Sequence, residues 1–94
     1  MQEFLDDDRA YLGWIAAHPD GFVVNARRAR SPTYFVLHRA RCRSISSERP
    51  DGAYTARGYR KLCADSVTAL DAAARAEGRE HGGFSKVCGT CAPL

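Results

Sequence analysis

Tyr34-Phe35-Val36-Leu37-His38-Arg39-Ala40-Arg41-Cys42 reads as a short strand that runs into two side chains with metal-ligand chemistry. Four apolar residues of high β-propensity are followed by an imidazole and a thiol four positions apart. Near the C-terminus, Cys88-Gly89-Thr90-Cys91 is a C-x-x-C, with Gly89 expected to permit the tight turn that points two thiolates at one ion. The two halves make H-x3-C and C-x2-C, four soft and borderline donors of the number a closed tetrahedral zinc site takes. The metal set is therefore expected to be His38, Cys42, Cys88 and Cys91, holding Zn2+. Cys63 leaves an alternative open, because it could take the place of His38 in a four-cysteine site. Otherwise Cys63 is a small buried hydrophobe. Two disulfides are disfavoured, since nothing in the sequence reads as an export signal. A redox pair sits at a helix N-terminus with chain following, whereas Cys91 is followed by three residues.

Outward from this stretch, Phe22-Val23-Val24, closed by Asn25, is a β-rich run expected to pair with residues 34–37 as an antiparallel hairpin. Residues 27–32 form a basic loop between them. Before the hairpin, His18-Pro19-Asp20-Gly21 is turn chemistry. It stops a helix expected over 7–17, with carboxylates in its first turn and Tyr11, Leu12 and Ile15 at helical spacing. Ser46 to Gly58, rich in Ser, Pro, Asp and Gly, is expected to be an exposed loop. Tyr59 to Ala64 is a third strand, and Asp65 or Ser66 caps a helix reaching about Glu77, where Gly78 ends it. An Asp71–Arg75 pair lies on its outer side. Gly82-Gly83 then leads Phe84 towards the core. The expected fold is α+β: an N-terminal helix, a short antiparallel sheet, and a C-terminal helix followed by the C-x-x-C knuckle.

Ninety-four residues and 10.3 kDa suit a single domain spanning 1–94. A chain of this size buries only roughly 60–65 % of the surface its unfolded form exposes, so a metal is a welcome addition to its core. With 45 % hydrophobic and 27 % charged residues the chain is globular in composition, which excludes disorder as its whole character. Apolar runs stop at four residues, far below the ~20 of a membrane span. The acidic start MQEFLDDDRA is unlike a secretory signal, so a cytoplasmic location with no membrane contact is expected.

The net charge of +3 conceals a steep asymmetry. Residues 1–24 sum to −4, residues 25–64 to +8 and residues 65–94 to −1. Nine of the ten cations in the middle segment are arginine, whose planar fork suits phosphate. Such a segment points to a polyanionic partner, DNA before others, with Arg27, Arg28, Arg30, Arg39, Arg41 and Arg43 on the backbone. Tyr34, Tyr54, Tyr59 and Trp14 are the candidate stacking residues, although Trp14 fits packing on the domain better. The contrasting reading is a protein-interaction or structural zinc domain whose arginines meet acidic groups, including the first helix of the same chain.

The part from about residue 34 onward resembles the metal-binding domain of the Ada type, found in bacterial DNA-alkylation response proteins and, with a leading histidine, beside nuclease domains. The resemblance rests on His38 and Cys42 at a strand end, the strand Tyr59 to Cys63, the helix from Ser66, Gly83-Phe84, and Cys88-Gly-Thr-Cys91-Ala-Pro93. It implies a zinc-binding part at 34–94, preceded by a helix and strand at 1–33 that match no family. It also implies a DNA reader or accessory domain in a nuclease or restriction-type system, working with a larger nuclease chain or a partner protein and reading a modified base. In the Ada type the first ligand is a cysteine that accepts a methyl group. His38 stands there in this chain, so methyl acceptance at that position is not expected.

No catalytic residues are expected. Four ligands close a zinc site, whereas catalysis by zinc needs an open position. His18 and His81 flank turn residues and read as solvated loop histidines. The sequence contains no G-x-S-x-G, phosphate-cradling glycine loop or H-E-x-x-H.

Overall fold

Strand alternation assigns two faces to the central strands, and each face carries a different core. The computed structural model describes residues 1–29, 33–46, 53–79 and 83–94. Arg30, His81 and Gly82, together with 47–52 of the expected loop, lie outside the described residues. Within them the chain runs β1 (Gln2–Phe4), α1 (Asp8–Ala17), β2 (Phe22–Arg27), β3 (Phe35–Arg39), α2 (Arg43–Ser46), β4 (Tyr59–Ala64), α3 (Val67–Ala76) and β5 (Lys86–Val87). The strands form one sheet in the order β1-β4-β2-β3-β5.

The register aligns Gln2, Cys63, Val23 and His38 in one row across the sheet. Side chains of this parity, with Phe4 and Lys61, face α1. Tyr11 and Ile15 of α1 pack there against Phe4, Val23, Cys63, Ile45 and Tyr54. The opposite parity, Val24, Ala26, Phe35, Leu37, Leu62 and Ala64, meets Leu70 and Ala74 of α3. A helix on each side of the sheet covers both faces, so the central strands are apolar nearly throughout rather than alternating.

Local chemistry explains both helices. The Asp7 carboxylate caps α1 by accepting from Ala10 N at 3.0 Å, and Ser66 Oγ caps α3 by accepting from Ala69 N at 3.2 Å. Gly78, at φ 104°, turns the chain out of α3, with its N–H on Arg75 O and the Arg79 N–H on Ala74 O, both at 3.1 Å. That pair of bonds is a Schellman ending, which needs the left-handed residue glycine supplies.

Several expectations need correction. The sheet is mixed rather than wholly antiparallel, because β5 runs parallel to β3. Neither β1 nor β5 was expected, since runs of three and two residues carry no periodicity to read. The strand does not close at Asn25 but continues to Arg27, because Asn25 pairs with Val36 and Lys61 on either side. In the supposed exposed loop, Tyr54 and Thr55 are buried. The Asp8 carboxylate draws them in, accepting from Tyr54 N at 3.2 Å, Thr55 N at 2.8 Å and the Thr55 hydroxyl at 2.5 Å. His18 is not a solvated loop residue either. It is half-buried at the end of α1, stacked on Trp14 at 4.2 Å with its Nδ1 2.8 Å from the Trp14 carbonyl.

Candidate metal centre and the cleft beside it

His38 occupies the fourth position of β3, buried on the α1 side of the sheet. Three residues on, the chain turns into α2, with Cys42 N bonded to Arg39 O at 3.0 Å and Ile45 N to Cys42 O at 3.1 Å. This turn returns the Cys42 thiol to the end of the strand. The other half-site arrives through β5: Val36 pairs with Lys86 and Leu37 with Val87, and Cys88 N donates to Leu37 O at 2.9 Å. Parallel pairing therefore sets Cys88 beside His38. The following turn closes with Ala92 N on Cys88 O at 3.1 Å.

The outcome is a cluster in which the donor atoms of His38, Cys42, Cys88 and Cys91 all lie within 4.8 Å of one another. Cys42 Sγ and Cys88 Sγ are 3.9 Å apart. Arg39 grips the far side of the loop: its backbone N–H points at Cys91 Sγ at 3.2 Å, Nε donates to Cys91 O and Nη2 to Ala92 O, both at 3.1 Å. Gly89 does not do what its position suggested. It avoids the left-handed region and has open space where a Cβ would stand, while Ala92 takes the positive φ of 45°.

The residues present fit a zinc ion. His38 Nδ1 is buried without a hydrogen-bond partner among the described residues, a costly state for a polar atom unless a cation takes its lone pair. Burial, with the positive charge of Lys61 behind it, holds the His38 imidazole down at about 4, so the ring is neutral and its lone pair available near neutral pH. Burial opposes ionisation of Cys88, yet the backbone N–H groups of Cys91 and Thr90 overcome it and bring that thiol down to about 7. Three thiols and one imidazole are the ligand chemistry of structural zinc. Cys63, the alternative ligand, lies two strands from His38, roughly 9–10 Å by strand spacing. Burial pushes its thiol up to about 12, as for an inert core cysteine.

The candidate nucleic-acid residues separate into groups. Arg28 pairs with Asp6 and donates to Thr55 O at 3.2 Å; Arg41 pairs with Asp20 and donates to Pro19 O at 3.1 Å. Arg39 is committed to the metal loop. Trp14 is half-buried against the α1 core and on His18. Arg60 and Lys61, counted among the middle cations, are buried inside the domain. Arg27 remains exposed, its guanidinium 4.8 Å from the Tyr34 ring centre and 5.5 Å from that of Tyr59. Arg43 is exposed at the start of α2.

Two contiguous clefts open on the α1 face beside the cluster. One, of about 890 Å3, includes His38, Cys88, Asn25, Tyr34, Ser44 and Lys86 in its lining. The other, of about 400 Å3, shares Asn25, Tyr34 and Ser44 with it and adds Tyr54, Tyr59 and Lys61. Asn25 and Lys61 escaped the sequence reading. Their signal was faint: two polar residues within strands that are mainly apolar, directly paired across the sheet. No helix among the described residues is long and apolar enough to cross a membrane. No protein-family model, curated protein or solved structure matches this chain, so the likeness to Ada-type domains rests on the residues that suggested it.

Proposed function

We propose that this is a zinc-stabilised nucleic-acid-binding module, an accessory reader of the kind that serves a nuclease or restriction-type system, with no catalytic step of its own. The observation that carries the reading is the sharing of residues between metal cluster and cleft. His38 and Cys88 belong to the ligand set and also line a cleft whose other walls carry Tyr34, Asn25 and Lys86. Zinc, when bound, supplies a cross-link between the end of β3 and the C-terminal loop. The chain's own residues do the rest: Arg27 and Lys86 offer cations to a phosphate backbone, and Tyr34 and Tyr59 offer ring faces to bases.

The test is the salt dependence of binding by zinc-loaded protein to a short DNA duplex and its single strands. Lys86 in the cleft lining and Arg27 over Tyr34 and Tyr59 predict log K falling with log salt at a slope of roughly −1 to −2, at about 0.7–0.9 per phosphate neutralised. Absence of binding to both forms at low salt overturns the reading. A second reading, a protein-interaction domain, is favoured by an apolar cleft of about 430 Å3 between Leu12, Ile15, Ala16 and Ala40. A packed apolar contact there would be nearly insensitive to salt.

A further inference from the structure

Lys61 is a buried cation whose hydrogen-bond partners are both neutral. Its residue is 3 % exposed, and Nζ donates to Asn25 Oδ1 and to the Tyr54 carbonyl, each at 2.8 Å. The rings of Tyr11 and Tyr54 lie 5.8 and 5.7 Å from it. An ammonium has three donors, so one N–H has no acceptor among the described residues. Asp8, whose charge reaches Lys61, is engaged instead by Tyr54 and Thr55. A lysine in a strand ordinarily runs its stem to the surface and leaves its ammonium in water. This one is held inside, at the wall of a cleft of about 400 Å3, within the size range of small-ligand sites.

The other groups in that cleft define what would fit. Tyr34 and Tyr59 lie 5.9 Å apart at a tilt of 51°, and together with Tyr54 they give aromatic walls suited to a flat ring. Asn25 Oδ1 is occupied by Lys61, which leaves the amide NH2 as the group Asn25 can offer. Cation and amide are donors, so the ligand edge must present acceptors. Arg27, stacked over both tyrosines, makes no hydrogen bond through its guanidinium to the described residues and can meet an anion at the rim.

We propose that this cleft receives a single unstacked nucleobase with a keto edge, guanine first, with Lys61 and Asn25 donating to the edge and the Tyr34–Tyr59 pair forming an aromatic wall along one side of the ring. This rests on the nucleic-acid reading above and adds which part of the nucleic acid enters the protein. Lysine and guanine O6/N7 are a natural pair, whereas adenine would bring an amino donor against the ammonium. Extruding a base costs least where it is already unpaired, so a bulged nucleotide is the sensitive probe.

The experiment compares zinc-loaded protein on four DNA duplexes of one length, by fluorescence anisotropy: fully paired, with one bulged guanosine, with one bulged adenosine, and with one bulged abasic residue. The bulged guanosine is expected to bind about tenfold more tightly than the abasic bulge and about fivefold more tightly than adenosine. Lys61→Met should abolish the preference for guanosine over adenosine while zinc content and affinity for the paired duplex stay unchanged. Should that variant fail to hold zinc, Tyr59→Leu at the half-buried rim decides, by weakening both bulged bases to the affinity of the abasic bulge. Equal affinity for the guanosine and abasic bulges overturns the inference and leaves the nucleic-acid reading intact, as does a guanosine preference that survives in a folded Lys61→Met. Failure of all four duplexes to bind at low salt overturns that reading, and the base pocket with it.

Discussion

His38 and Cys63 sit in the same row of the sheet, with Val23 between them, and their environments assign them opposite roles. His38 is drawn towards three thiols and has an unpartnered ring nitrogen. Cys63 packs among Phe4, Tyr11 and Val23, with its thiol kept protonated by burial. His38→Ala should therefore lose stoichiometric zinc and cooperative folding together, since metal binding and folding share one free energy. Cys63→Ala should keep one zinc per chain and lose about 1 kcal/mol for a single deleted core atom. Metal analysis and chemical denaturation of the two variants check both outcomes. Retention of zinc by His38→Ala with loss from Cys63→Ala would reverse the assignment.

At the scale of elements, the short outer strands are held by side chains as much as by ladder bonds. Arg60, buried in β4 with its side chain 1 % exposed, bonds Glu3 of β1 at 2.7 Å and both carboxylate oxygens of Glu77 at the end of α3. Its guanidinium Nε also donates to Arg27 O at 2.9 Å. One buried cation thus fastens β1 and the C-terminus of α3 to the sheet. Glu77→Gln should cost about 2 kcal/mol, less than the ~3–5 of a fully buried pair losing its partner, because Glu3 remains to balance the charge. Urea unfolding checks this, and a cost within ±0.5 kcal/mol would place the pair among surface bridges of little worth. β5 has a comparable fastening: Ser85 N donates to Phe35 O and Ser85 Oγ accepts from Phe35 N, both at 2.8 Å.

Across the whole molecule, the acidic N-terminal segment answers the basic middle. Glu3 meets Arg60, Asp6 meets Arg28, Asp20 meets Arg41, and Asp8 gathers the backbone at Tyr54 and Thr55. The metal cluster lies at the far edge of the same body, where β5 is a strand of only two residues. Removing zinc with a chelator should release this edge first. Amide exchange of Ser85 and Cys88, whose N–H groups bond Phe35 O and Leu37 O, should become fast, while central β2 and β4 amides exchange only on global unfolding. Unchanged protection at Ser85 and Cys88 after metal removal would show that the edge holds without the ion.

What the sequence determined by itself were the features carried by near neighbours. The α1 and α3 helices, their Asp7 and Ser66 caps, the Gly78 ending, the β2–β3 hairpin and the bounds of β4 all follow from periodicity and turn chemistry within a dozen or so residues. The ligand spacing at His38/Cys42 and Cys88/Cys91 was legible for the same reason. Only the tertiary structure shows that His38 and not Cys63 joins the other three cysteines, because that depends on which strands lie side by side. It also decided which cations face solvent: Arg60 and Lys61 look alike in sequence with Arg27 and Arg43, and only burial on opposite faces of β4 separates them. Strands as short as β1 and β5 carry no pattern of their own, and form where a neighbouring strand already offers free backbone donors and acceptors.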